Sequence, residues 1–220
     1  TAYAKNLTIQ SGALLTHTGT SNSWFYVYGD FNSDAGQYTM SGISFLYFAG
    51  SVSNSWDDDN ENDTYVNVRV DKDPGSNANT YMWQNMTCSG TFEIREGIFS
   101  IDQYWTLNIT NTGTTAFEVE DGGKLILDSS TEGIDCDGSV RFFDGSQATL
   151  SNGFINCAGN FTVDANTSYN IAFTGGTLVM KGSSTQYIND LDGGNLDLFN
   201  LTIAKTGGVC YVQSANLDVN

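Results

Sequence analysis

Asp57, Asp59, Glu61 and Asp63 alternate through the run Asp57-Asp58-Asp59-Asn60-Glu61-Asn62-Asp63, and Asp71 and Asp73 follow it across one short alternating segment. Alternating carboxylates on a short loop make the donor set of a hard cation, because calcium takes about six to eight oxygen ligands at about 2.3–2.6 Å. On this reading the first loop wraps calcium, and Asp71 and Asp73 return from the far end of the intervening strand to complete the shell. The run lacks the central glycine and the closing bidentate glutamate of an EF-hand loop, and consecutive polar residues also make ordinary solvated loops. A second acidic stretch, Asp190-Leu191-Asp192-Gly193-Gly194-Asn195-Leu196-Asp197, holds one imperfect Gly-Asp copy.

Trp56 precedes the acidic run and Trp83 follows the second loop. Exposed beside a cation loop, their flat rings would stack on the C–H face of a sugar; turned inward, they would cap the core where the loops leave it. The one histidine, His17, lies in the alternating Thr16-His17-Thr18 and reads as an exposed strand residue. A nucleophile elbow or a phosphate-binding glycine loop is not found in the chain. Arg69, Arg95, Arg141 and Lys181 stand singly, without the base-and-carboxylate grouping that polysaccharide lysis or hydrolysis requires. The chemistry in the sequence is therefore binding chemistry, and catalysis is not expected.

Such residues need a frame, and a repeat supplies it. Leu7/Ile9/Gly12, Phe92/Ile94/Gly97, Phe117/Val119/Gly122, Val140/Phe142/Gly145, Phe161/Val163/Asn166 and Leu201/Ile203/Thr206 share one pattern, with Phe31/Ser33/Gly36 as a polar variant. Two apolar residues at i and i+2 share one strand face, and the Gly or Asn sits where a turn needs positive φ. A short-strand unit recurring every ~20–25 residues marks a solenoid, whose units bury their apolar faces only by stacking on one another. The expected fold is all-β: a single domain over residues 1–220, a parallel β-helix with Phe31, Phe92, Phe117, Val140 and Phe161 in one internal stack. Residues 51–80 break the rhythm and read as an acidic loop insertion projecting from the rungs, with Val66, Val68 and Val70 on one face of its strand.

Several units align further. Gly29, Gly90, Gly138 and Gly159 stand two before an apolar residue, with Val27, Cys88, Cys136 and Cys157 two before each glycine. Cys136 and Cys157 should therefore face inward on adjacent rungs about 4.8 Å apart. That spacing admits a disulfide between them, although neighbours in a parallel ladder have poor Cβ vectors for one; the other reading is two buried thiols. Neither a CxxC pair nor a Cys/His metal spacing occurs, so zinc is not expected.

The stretches Gly159–Val163 (GNFTV), Gly175–Ser183 (GGTLVMKGS) and Asn200–Gly208 (NLTIAKTGG) resemble the β-solenoid repeats of large bacterial cell-surface and secreted proteins of adhesin and autotransporter type. The resemblance covers most of the chain outside 51–80. It implies a right-handed parallel β-helix serving as stalk, adhesive surface or matrix component, and it says little about activity. Parallel β-helices also carry polysaccharide-processing enzymes and tailspikes, so glycan binding is the alternative reading.

Composition sets the limits. Among 220 residues there are 24 glycines, one proline, eight Lys plus Arg and a formal charge of −17. Phosphate backbones and anionic membrane surfaces need clustered basic residues, so nucleic acid and acidic lipid are excluded as partners. No apolar run is long enough for a membrane-spanning helix. Acidic, hydroxyl-rich, lysine-poor surfaces are common on secreted proteins, and with the resemblance they point to a secreted or cell-surface location. Asn-Leu-Thr-Ile occurs near both ends, at 6–9 and 200–203. A following copy would bring its Leu7 26 residues beyond Leu201, close to the internal period, so the expected partner is the chain itself, end to end or as a segment of a longer solenoid.

Overall fold

The computed structural model describes residues 1–33, 36–58, 63–164, 170–191, 195–214 and 216–219. Within them the chain is all-β without a helix, a parallel β-solenoid of about nine turns with rungs of about 23 residues. Each full turn visits three walls, here named C, A and B in the order the chain meets them. From the fifth turn onward wall C is built by Met86–Cys88, Thr106–Ile109, Gly133–Cys136, Phe154–Cys157, Thr177–Gly182 and Asn200–Lys205. Wall A includes Asn67–Lys72, the first half of Phe92–Ile101, Phe117–Val119, Val140–Phe142, Phe161–Val163, Gln186–Asp190 and Cys210–Gln213. Wall B includes Phe31–Asn32, Asn54–Asp57, Asn79–Met82, the second half of Phe92–Ile101, Gly123–Leu127 and Gln147–Leu150. Two long strands, Leu14–Val27 and Gln37–Gly50, bend around a corner and serve both wall C and wall A.

The apolar i, i+2 pairs do what their spacing predicts. Down wall A one inward file runs Leu46, Val68, Phe92, Phe117, Val140, Phe161, Ile188, and a second runs Val27, Phe48, Val70, Ile94, Val119, Phe142, Val163. All of these are fully buried. The Phe92 and Phe117 rings stack with centroids 5.8 Å apart. Gly97, Gly122 and Gly145 close the A-to-B corners at φ of 82°, 84° and 80°, where a side chain would be strained. At the C-to-A corner Gly159 has no room for a side chain at all, since a Cβ there would lie 2.5 Å from the Ser139 amide nitrogen.

Three expectations are corrected. Phe31 is buried, but in wall B, between Leu7 and Trp56, and not in the wall A file of Phe92. Leu7 likewise belongs to wall B while Leu201 belongs to wall C, so the two Asn-Leu-Thr-Ile tetrapeptides are not equivalent positions of the repeat. Residues 51–80 are not an insertion projecting from the rungs: Asn54–Asp57, Asn67–Lys72 and Asn79–Met82 pair in register with the turns on both sides. The cause is common to all three. Every wall uses the same apolar-x-apolar code, and the described acidic residues Asp58 and Asp63 stand between the strand Asn54–Asp57 and the bridge at Thr64.

Replacing Phe117 by Ala removes a fully buried ring from the middle of a continuous file, and should cost about 3–5 kcal/mol. Asp128→Ala, on an exposed corner, should leave stability unchanged within about 0.5 kcal/mol; urea unfolding of both variants measures the difference.

Candidate functional site

The described ends of the acidic run, Asp57–Asp58 and Asp63, lie at the corner between walls B and C. Asp59 and Glu61 fall outside the described residues. Asp57 closes Asn54–Asp57 and pairs with Asn32, while Asp58 is buried. Asp58 Oδ2 and Asp63 Oδ2 lie 3.2 and 3.3 Å from the Tyr65 hydroxyl, and the Tyr38 amide donates to Asp63 Oδ1 at 2.7 Å. Burial raises the Asp63 carboxyl above the usual range, against the opposing hydrogen bonds it accepts. Asp71 and Asp73 lie on the other side, at the end of Asn67–Lys72 where wall A turns into wall B. Wall B stands between these two corners, and its four-residue strand Asn54–Asp57 spans about 13 Å, so Asp57, Asp58 and Asp63 do not converge with Asp71 and Asp73 on one ion.

The two tryptophans part company. Trp56 is fully buried, 5.4 Å from Phe48, 4.9 Å from Tyr65 and 6.2 Å from Phe92 by ring centroid. It offers no face to a sugar, because its position in Asn54–Asp57 points inward. Trp83 is 44% exposed, just beyond Asn79–Met82.

Cys136 and Cys157 are aligned on adjacent turns of wall C as their spacing predicts. They are free buried thiols, not a disulfide. Cys157 Sγ lies within 3.4–3.5 Å of the carbonyls of Gly138, Gly159 and Asn160, and Cys88 Sγ is 2.9 Å from the Val66 carbonyl. Their position explains the Cys-x-Gly motif: the small thiol fills the inside of the tight corner and donates to its carbonyls. Burial pushes all three thiols up to about 12.

His17 also departs from its expected place. It points toward the inside of the second turn, half-buried, with Nδ1 3.0 Å from the Tyr38 hydroxyl and Nε2 3.1 Å from Ser23 Oγ. Burial first, and the N-terminal amine second, hold the imidazole below its usual range, hence neutral. A hydroxyl on a neutral imidazole is half of a nucleophile–base pair. The third group here is a phenol that burial keeps protonated, so no charge stands ready to stabilise an imidazolium, and Ser23 Oγ is tied to Ser44 Oγ at 2.9 Å. The network joins two turns.

The densest polar grouping lies elsewhere, on the outer face of wall A. Register stacks the outward middle residues as Tyr3, Tyr26, Tyr47, Arg69, Glu93, Glu118, Arg141, Thr162, Asn189. The tyrosines stack at 5.3 and 4.5 Å. Arg69 donates to the Tyr47 hydroxyl at 2.8 Å, lies over the Tyr47 ring and pairs with Glu93. Two residues further along the strand, Arg95 Nε donates to Glu120 Oε2 at 2.7 Å. Arg95 is the extra residue of a bulge between Ile94 and Glu96, which re-aims it toward the next turn. Register sets Arg141 beside Glu118, yet Arg141 turns away, pairing with Asp164 and covering the Phe143 ring at 4.2 Å. Carboxylate oxygens of Glu93, Glu118 and Glu120 lie within 4.8 Å of one another. Burial raises the Glu93 and Glu118 carboxyls above the usual glutamate range, and for Glu118 the neighbouring glutamates add to the effect. Sequence reading missed this cluster, although the middle positions of the aligned Phe92/Ile94, Phe117/Val119 and Val140/Phe142 pairs are its residues.

Comparison of the chain with protein-family models, curated proteins and solved structures returns no match, so the geometry alone carries the functional reading.

Two outcomes test this picture of the polar groups. The native protein should expose at most Cys210, the one thiol not fully buried, to a disulfide-exchange reagent, with all four reacting after unfolding. Glu132, fully buried and accepting from the Ser129 amide at 2.6 Å, is raised by burial to about 7. Its native form holds a proton to higher pH than the unfolded chain, so its stabilising contribution is present at acidic pH and lost as pH rises through about 7. Glu132→Gln keeps the acceptor and cannot ionise; its Tm should exceed the parent's at pH 8 and the gap should shrink toward pH 5.

Proposed function

We propose that this chain is a non-catalytic structural and adhesive segment of an extracellular surface protein or fibre, continued end to end by further turns of a longer chain or of another copy. One observation carries the reading. On the last described turn three residues whose register points inward remain open: Ile203 is 52% exposed, Val212 48% and Val219 46%. Their counterparts one turn earlier, Met180, Ile188 and Leu198, are fully buried. The same cross-section that forms the core is thus presented as an apolar face with unpaired strand edges, which a further rung would cover by the pairing that builds the rest.

Light scattering after size exclusion, with negative-stain microscopy, tests the proposal. Rods longer than the roughly 45 Å that nine or so turns span at about 4.8 Å each are expected, and Val212→Glu should return them to single particles without unfolding the chain. A monodisperse monomer at high concentration would overturn self-assembly by this isolated segment.

Glycan recognition is the second reading. It is favoured by the exposed rings of Tyr3, which ends the outward tyrosine stack, and of Trp83, since such rings are sugar platforms. A glycan array run with and without calcium separates an adhesive face from an inert one.

A further inference from the structure

The outer face of wall A holds three carboxylates that belong to two adjacent turns, Glu93 to one and Glu118 and Glu120 to the next. Two have a cationic partner: Arg69 takes Glu93 and Arg95 takes Glu120. Glu118 has none among the described residues. It accepts no hydrogen bond and forms no ion pair, although only 8% of its surface is exposed. Its natural partner by register, Arg141, is committed to Asp164 and to the Phe143 ring. A buried, unpaired carboxylate is costly, and this one is aimed at two more carboxylates within 4.8 Å.

We propose that Glu93, Glu118 and Glu120 form a divalent cation site, calcium by the character of its donors, that clamps two adjacent turns of the solenoid together. Three oxygens separated by no more than 4.8 Å can all lie about 2.3–2.6 Å from one central ion, the calcium–oxygen range, whereas all-oxygen magnesium sites need shorter distances and stricter geometry. The arginines do not consume the ligands. Each pairs through a single carboxylate oxygen, Oε2 of Glu93 and Oε2 of Glu120, and leaves the second oxygen with its own lone pairs. Glu120 is the most open of the three, with 28% of its side chain exposed, so water completes the shell from that side. The two arginines lower the affinity relative to an all-acidic loop, but they also hold Glu93 and Glu120 in place, which reduces the ordering that binding requires. The site is distinct from Asp57, Asp58 and Asp63 of the acidic run, which lie at the corner between walls B and C, and it does not depend on the stalk reading.

The probe is calcium chloride, titrated calorimetrically into the full chain at pH 7.5 after treatment with a chelator. Glu118→Gln should lose one equivalent of binding, or weaken it at least tenfold, while Asp63→Asn at the acidic run should leave that equivalent in place. Because both substitutions are nearly isosteric, circular dichroism should show both variants folded. Carboxyl carbon resonances of the unmodified protein give a reading that needs no variant: calcium should shift those of Glu93, Glu118 and Glu120 together. Equal isotherms for the parent and Glu118→Gln would overturn the site. So would an absence of calcium heat at millimolar concentration, or glutamate resonances that move with pH and stay fixed when calcium is added.

Discussion

Every feature of this molecule depends on one constraint, that an inward-facing side chain is covered by its equivalents on the turns before and after it. Nothing else covers it, because a turn of three short strands encloses too little volume to make a core of its own. Phe92, Phe117, Val140 and Phe161 are fully buried because they are vertical neighbours. Ile203 and Val212 are half open for the complementary reason, having a neighbour on one side alone. Stability is therefore cumulative along the axis.

The same register that buries like on like inside forces like on like outside. On wall A the outward file can be satisfied only by residues that tolerate a copy or a complement about 4.8 Å away. Tyr3, Tyr26 and Tyr47 solve this by ring stacking, and Arg69 and Glu93 by opposite charge. Glu93 and Glu118 do not solve it: two carboxylates meet in a partly dry environment, and cross-strand like charges are destabilising. The neighbouring arginines relieve two of three charges and leave the third. That residual conflict, in a file otherwise made of compatible pairs, is what singles out the outer face of wall A among the polar clusters of the chain.

The period, the parallel stacking, the inward aromatic residues and the corner glycines were legible in the sequence, because they follow from local alternation and from turns that need positive φ. Wall identity was not. Leu7/Ile9, Phe92/Ile94 and Leu201/Ile203 lie in walls B, A and C and carry the same code, so a fixed-period reading joined strands that face different directions. The spacing of Cys136 and Cys157 predicted their alignment on adjacent turns and left a bond or two buried thiols open; the structure has the thiols. Trp56 was left between a surface and a core reading because a single tryptophan beside a polar loop carries no periodic signal of its own. The glutamate cluster was overlooked because its members lie a full turn apart in sequence, and charge was weighed as runs along the chain.

This explains why the acidic run attracted attention that the geometry divides. In a three-walled coil, proximity in sequence spreads residues around the perimeter: Asp63 and Asp71 are few residues apart yet stand at different corners, with walls C and A along the chain between them. Separation by one turn, in contrast, is contact. Glu93 and Glu118 touch across 25 positions by the same rule that stacks Phe92 on Phe117. Ligand sets in such a chain are composed down the files, and each added turn contributes one donor per outward position. A cation held by donors from two turns resists their separation, which is the direction in which a solenoid under tension would open, and its binding would strengthen the one interface that hydrophobic stacking alone leaves weakest wherever an outward file carries like charge.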